Sequence, residues 1–257
     1  MNAANLTLLW QLLRRDLRER YAGTTLGVLW LLVQPLFMLL VYALVFGEIL
    51  HLRFGWQGGH EQFAAYLFAG LTAFNAIAEV LVKAPGLLTG QRDLLLNSPL
   101  SPALLPLLPV ISSLVLELLS IALLCLWLCV HGSCPVLGTV FYLPFLFARL
   151  LLAAGLAYLL AVLGIFLRDL RQLVPTLLGV LLLVSAVVYP PEMVPEHFRF
   201  WLQMNPLAQL AEAYRATLVD GIFRWQDCLA LLLQGSVTLG LGWWVFQRLM
   251  SRARYVL

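Results

Sequence analysis

The stretch LRRDLRERYAGTTLGVLWLLVQP, residues 13–35, gathers four arginines between positions 14 and 20 and then carries no charge at all. A basic collar running straight into an apolar segment marks the cytoplasmic border of a membrane helix, because lysine and arginine are retained on that side. Upstream, Leu6, Leu9, Trp10, Leu13 and Leu17 recur at spacings of three and four, while Gln11, Arg14, Arg15, Arg18 and Glu19 occupy other faces. That periodicity predicts an amphipathic helix over 5–22 lying in the membrane interface, its arginines toward the headgroups. A secretory signal is a poorer reading, since here the charges follow the short apolar run instead of preceding it.

The composition agrees with a membrane protein. Of 257 residues, 62% are hydrophobic and 11% charged, and the mean hydropathy is +0.91. A soluble domain carries about a quarter charged residues, so this chain could not cover its core with a polar surface. Six segments approach the ~20 apolar residues that a helix needs to cross about 30 Å of hydrocarbon: 28–50, 62–82, 104–130, 137–166, 173–190 and 228–247. An open sheet is excluded, because its edge would remain unbonded in lipid. The expected fold is therefore all-α, a single transmembrane domain spanning 1–257. With the N-terminus inside, eleven lysines and arginines flank the spans on the cytoplasmic side and four on the outer side. Both termini are expected in the cytoplasm. The net charge of +3 does not point to nucleic acid, since the arginines collect beside apolar segments and form no stripe on a soluble module.

Three connections stand out. The loop 83–102, KAPGLLTGQRDLLLNSPLSP, places a triple leucine among helix breakers, which predicts a short interfacial helix. The turn 166–175, FLRDLRQLVP, is short and basic. The outer connection 190–227 alternates prolines with apolar stretches too short to cross, which predicts re-entrant helices between spans five and six. Lys83, the only lysine, follows no glycine-rich phosphate loop, so ATP-driven work requires another polypeptide. Cys125, Cys129, Cys134 and Cys228 lack the paired histidines of a standard metal site, His131 notwithstanding, and read as apolar fillers.

Charges inside the apolar segments are costly unless paired or hydrated. Among them are Glu79 near the inner end of span two, Glu117 in span three and Arg149 in span four. Glu117 and Arg149 either pair across adjacent helices or, for Arg149, the guanidinium snorkels to an interface. Tyr42, Phe46, Tyr66, Phe74 and Tyr158 either pack and anchor the spans or line a passage, where aromatic faces slide against sugar rings. Glu192, Glu196 and His197 are the one acidic cluster with an adjacent base, although Pro191 and Pro195 interrupt its helical spacing. An integral membrane glycan-modifying enzyme would have to work through them.

Four ordered segments resemble the membrane subunits of bacterial ABC-2 type polysaccharide exporters. They are RERYAGTTLGVLWLLVQPLF, RDLLLNSPLSP, FLRDLRQLVPTLL and VVYPPEMVPEHFRFWLQMNPLAQLAEAYR, and the resemblance they mark extends over essentially the whole chain. The resemblance implies a non-enzymatic half-channel in the bacterial inner membrane that forms a homodimer and binds two soluble ATPase subunits. ATP and Mg²⁺ would sit in those partners, with no cofactor bound by this chain. It implies that helix 5–22 is a gate helix, with Arg14, Arg15, Arg18 and Arg20 contacting the pyrophosphate of an undecaprenyl-linked glycan; attraction to anionic membrane lipid explains the same charges. It implies that Gln91, Arg92, Asp93, Leu94 and Leu95 couple the ATPase to the membrane helices. It favours lipopolysaccharide O-antigen as cargo, with capsular polysaccharide and teichoic acid as alternatives.

Overall fold

The computed structural model of the chain describes residues 3–20, 23–45, 60–92, 95 and 101–253. These residues are helical apart from turns. Helix α1 (Ala3–Glu19) precedes a 3₁₀ turn and α2 (Trp30–Leu44). Then follow α3 (His60–Gly90), α4 (Leu107–Val130), α5 (Val136–Phe166) and α6 (Leu170–Val184). Two short helices, α7 (Glu196–Met204) and α8 (Pro206–Leu218), lead to the long α9 (Trp225–Ala253).

Among the described residues, five segments are long and apolar enough to cross a membrane: Gly27–Leu44, Gln62–Gly90, Pro102–Val130, Val136–Phe166 and Trp225–Arg252. The segment expected as a fifth span, 173–190, departs from this pattern. Its helix α6 has 15 residues, about 22 Å at 1.5 Å per residue, short of the hydrocarbon thickness. The second span also differs from its expected end at 82. Helix α3 continues through Pro85 to Gly90, because Ala84 and Leu88 are fully buried and tertiary packing outweighs the proline's missing hydrogen bond.

The centre of the bundle is α3 and α5, held close by small residues, as expected where lipid supplies no hydrophobic drive between helices. A Cβ on Gly164 would lie 2.0 Å from the Pro85 carbonyl oxygen, and one on Gly242 would lie 2.1 Å from that of Gly155. The pairing of Gly235 with Ala148 and of Gly242 with Gly155 makes α9 run parallel to α5. Helix α6 runs antiparallel to α3. At one end Arg171 donates to the Thr89 hydroxyl, and at the other Arg215 holds both the Val187 and the Tyr66 carbonyls. Helices α1 and α9 thus reach the same end of the bundle, here called the arginine end.

At the far end, α8 is almost wholly buried from Leu207 to Leu218. Its start follows from sequence: Pro206 occupies the first turn, and the Asn205 side chain accepts from the Leu207 N–H at 3.0 Å. The Asn205 amide also donates to Ser185 Oγ at 2.8 Å, so one residue caps α8 and fastens it to the end of α6.

One far-end feature departs from the sequence reading. Cys129 and Cys134, expected as apolar fillers, are joined in a disulfide across the α4–α5 turn, Cα to Cα 4.2 Å. Cys129 is exposed in the last turn of α4 and Cys134 is exposed just before α5, so neither has a core to fill. Cys125 and Cys228 are free thiols, the first half-buried and the second buried.

Candidate functional site

Three helix stripes enclose a cavity of about 750 Å³ between α2, α3 and α4. Helix α3 supplies Phe68, Leu71, Thr72, Asn75, Glu79 and Lys83, at the three-and-four spacing of one helical face. Helix α2 supplies Leu31, Gln34, Met38 and Tyr42, and α4 supplies Ser113, Leu116, Glu117 and Ser120. Polar amides and hydroxyls thus alternate with apolar walls along a volume large enough for several sugar rings. Asn75 is exposed although most of α3 is buried. A polar side chain at mid-helix is tolerated because it faces this cavity and not lipid.

Four side chains close the arginine end of the cavity. Lys83 Nζ lies 2.8 Å from Asp16 Oδ2 and 3.2 Å from Glu79 Oε1, and Arg20 donates to the same Glu79 oxygen. Glu79 has 11% of its side-chain surface exposed, against 29% for both Arg20 and Lys83. Of the other gate-helix arginines, Arg15 pairs with Glu19 at 2.7 Å on the open surface, and Arg14 and Arg18 are exposed. The structure therefore brings Arg20 alone of the four arginines onto the cavity.

A second polar cluster lies deeper. Arg149 and Glu117 are fully buried and meet at 3.3 Å, Nε to Oε2, which decides for pairing over snorkelling. Arg149 also donates to Ser113 Oγ at 2.6 Å and to the Ala76 carbonyl at 2.9 Å. The hydroxyls of Tyr142, at 3.0 Å, and of Tyr214 donate to Glu117 Oε1. Next to Tyr214, the buried Arg215 gives its guanidinium to the carbonyls of Tyr66, Ala186 and Val187 and stacks at 4.0 Å over the Tyr66 ring. These bonds hold Ala186 at φ +49°, a left-handed conformation costing a non-glycine residue about 1–3 kcal/mol. Gly70 makes room for this guanidinium: a Cβ there would lie 2.7 Å from Arg215 Nε. Asp220, in the turn after α8, has its carboxyl pushed above the usual range by desolvation, with Arg224 pulling the other way.

The remaining candidates are dispersed. Tyr42 lines the cavity. Tyr66 lies beneath Arg215, and Phe74 is in the bundle core. Tyr158 donates to the Ala103 carbonyl at 2.9 Å and stacks edge-on against Trp243 and Phe246. Phe46 lies outside the described residues, as do Asp93 and Leu94. Arg92 is exposed, Gln91 is half-buried, and Leu95 packs against the arginine-end apolar cluster around Leu88 and Leu104. His197 stacks on Phe198 in the short helix α7, which Glu196 begins; of Glu192 only the backbone is described.

The sequence reading missed the stripe Gln34, Asn75, Ser113 and Ser120 and the roles of Asp16, Tyr214 and Arg215. The signal for the first was polar residues recurring at helical spacing inside apolar runs. Nothing local marked the other three, whose partners stand tens of residues away.

These features define a multi-pass membrane protein with a cavity of mixed polar and apolar lining among its helices. The chain belongs to the ABC-2 type transporter family, whose model matches residues 7–219. It is accordingly a transport subunit and not an enzyme. It is 26% identical over 238 residues to the O-antigen export system permease protein RfbA of Myxococcus xanthus, covering 92% of this chain and 88% of that protein. To the protein of the same name from Klebsiella pneumoniae it is 24% identical over 260 residues, covering 98% and 97%. To the polysialic acid transport protein KpsM of Escherichia coli it is 24% identical over 215 residues, covering 80% and 79%.

Proposed function

We propose that this chain is the membrane half of an ATP-driven exporter that moves a lipid-linked polysaccharide across the bacterial inner membrane. The observation that carries the reading is the cavity, apolar walls set with amides and hydroxyls, that reaches from the Arg20–Glu79–Lys83 mouth to Ser113 and Glu117. Amides and hydroxyls bind sugar hydroxyls in exchangeable hydrogen bonds, and Phe68 and Tyr42 offer faces to sugar rings. End-to-end similarity to O-antigen permeases, against four-fifths coverage for the polysialic acid protein, favours O-antigen over capsular polysaccharide or teichoic acid.

The exporter is a homodimer of this subunit with two ATPase subunits on its cytoplasmic face. The apolar surface of α2 and α6, including Phe37, Leu40, Leu173 and Leu177, is available to a second copy and to lipid. ATP and Mg²⁺ bind in the ATPase, which pushes on Gln91, Arg92, Asp93, Leu94 and Leu95. Arg14, Arg15, Arg18 and Arg20 form the gate helix that meets the carrier's pyrophosphate. Tyr42 is the aromatic with the strongest case for the passage; Phe46, four residues later in the sequence, is the next to test, while the packing of Tyr66, Phe74 and Tyr158 favours an anchoring role.

Six passes place both termini in the cytoplasm. Helix α6 with the turn that follows makes the fifth of these six passes. This is supported by the parallel pairing of α5 and α9, between which the chain must return, and by the reach of α6 from Thr89 to Tyr66 along α3. Helices α7 and α8 are the outer re-entrant pair.

The test is deletion of the gene together with purification of the protein from its native membrane. Glycan stranded on the inner side of the membrane, and a co-purified ATPase stimulated by lipid-linked glycan, are the expected results. Normal surface glycan in the deletion strain, with no ATPase attached, would overturn the reading. Replacing Arg92 and Asp93 with alanine should uncouple the ATPase from transport; unchanged coupling would remove the 91–95 assignment.

A further inference from the structure

Asp16, Arg20, Glu79 and Lys83 sit where α1 and the residue after it meet α3. They combine two cations with two carboxylates, so the cluster is neutral in charge. Lys83 is the chain's only lysine, and it stands between both carboxylates at 2.8 and 3.2 Å. Glu79 in turn is shared by Arg20 and Lys83. Arg20, Glu79 and Lys83 also line the mouth of the cavity. The two carboxylates thus occupy the positions an anionic ligand entering the cavity would take.

We propose that this cluster is an anion-exchange site: a phosphate or diphosphate headgroup displaces Glu79 and Asp16 from Arg20 and Lys83. The exchange is chemically matched. A diphosphate carries more charge and more acceptor oxygens than a carboxylate, the arginine fork binds it through two parallel bonds, and lysine meets it as a point charge. The pairs being exchanged keep 11–29% of each side chain in contact with solvent, so each is more readily traded than a fully buried pair. Displacement has a structural consequence. The Arg20–Glu79 and Lys83–Asp16 bonds tie the end of α1 to α3, so an arriving headgroup unfastens α1 and widens the mouth. Binding and opening are then one event, with α1 the moving part. The proposal rests on the export reading only for the source of the phosphate.

The exchange has a signature that simple attraction lacks: removing a carboxylate tightens binding. The full chain is reconstituted in phosphatidylcholine nanodiscs, and bound undecaprenyl diphosphate is measured by native mass spectrometry. Phosphatidylglycerol and inorganic pyrophosphate are run as separate probes. Glu79→Gln and Asp16→Asn are expected to bind about tenfold more tightly than the parent, and Lys83→Gln about tenfold more weakly. The same order for undecaprenyl diphosphate alone assigns the site to the lipid carrier. The same order for phosphatidylglycerol extends it to membrane phospholipid, and competition by pyrophosphate extends it to the free anion; each supports exchange. Unchanged or weaker binding by both carboxylate variants, at unchanged melting temperature, overturns it. Should Glu79→Gln fail to fold, the more exposed Asp16→Asn carries the test alone. The exchange order without any export defect in the deletion strain would leave this site standing and remove the proposed function. The converse result would remove only the site.

Discussion

Two ion-pair clusters, built from the same few residue types, stand at different depths of this bundle. At the arginine end, Asp16, Arg20, Glu79 and Lys83 share their charges at a half-exposed mouth. Deeper, Glu117 and Arg149 have no exposed side-chain surface and draw on Ser113, Tyr142, Tyr214 and the Ala76 carbonyl as well. Burial separates their roles. A charge removed from water must be matched by fixed partners and then locks the helices that supply them, whereas a half-hydrated pair costs little to break. The deep cluster fastens α3, α4, α5 and α8 into one unit. The shallow one is free to exchange.

The largest expected effect comes from halving the deep pair. Arg149→Met leaves Glu117 buried without its cation and should cost about 3–5 kcal/mol, read as denaturant unfolding in detergent micelles. Combining it with Glu117→Gln should recover at least half of that loss, because no unpaired charge is left behind. Equal loss in the single and double variants would show that packing, not charge, sets the depth effect.

The next effect concerns the helix contacts that hold the deep cluster in register. Gly242→Ala puts a methyl 2.1 Å from the Gly155 carbonyl oxygen, whereas a Cβ on Gly240, two residues earlier, meets nothing within 4 Å. The first should destabilise by about 1–3 kcal/mol; the second should be neutral or stabilising by up to about 1 kcal/mol. A melting-temperature comparison of the two variants checks it.

A smaller change is expected at the mouth. Lys83→Gln should alter stability by about 1 kcal/mol or less, although it changes anion binding far more. A loss as large as that of Arg149→Met would erase the distinction between the clusters. The smallest effect is at Asp220, whose carboxyl is raised by desolvation. A raised acid favours the folded state while protonated, so stability should fall as pH rises from the ordinary aspartate range through the raised value. Asp220→Asn should flatten that slope, as followed by melting temperature against pH.

Much of the fold was legible in the sequence because hydropathy and helical period are local properties. The collar of Arg14–Arg20 before an uncharged run and the apolar stretches of α3, α4, α5 and α9 needed no knowledge of neighbours. The short α6 was less legible, since its helix ends at Val184 where Arg215 draws the Ala186 and Val187 carbonyls out of helical register. Cys129 and Cys134 were misread because a bond between them depends on how the turn folds. At the candidate site, the basic residues were visible and their division was not. Arg15 and Arg20 look alike in sequence, yet one faces open solvent beside Glu19 and the other meets Glu79 across 59 positions.

By itself the sequence determined that this chain lives in a membrane, that it is helical and where its positive charge concentrates, because transfer of apolar surface and retention of lysine and arginine act residue by residue. Only the tertiary structure decided which charges are fixed and which exchangeable. A charge is stabilised or penalised by the groups within a few ångströms of it, and here those groups come from helices far apart in the chain.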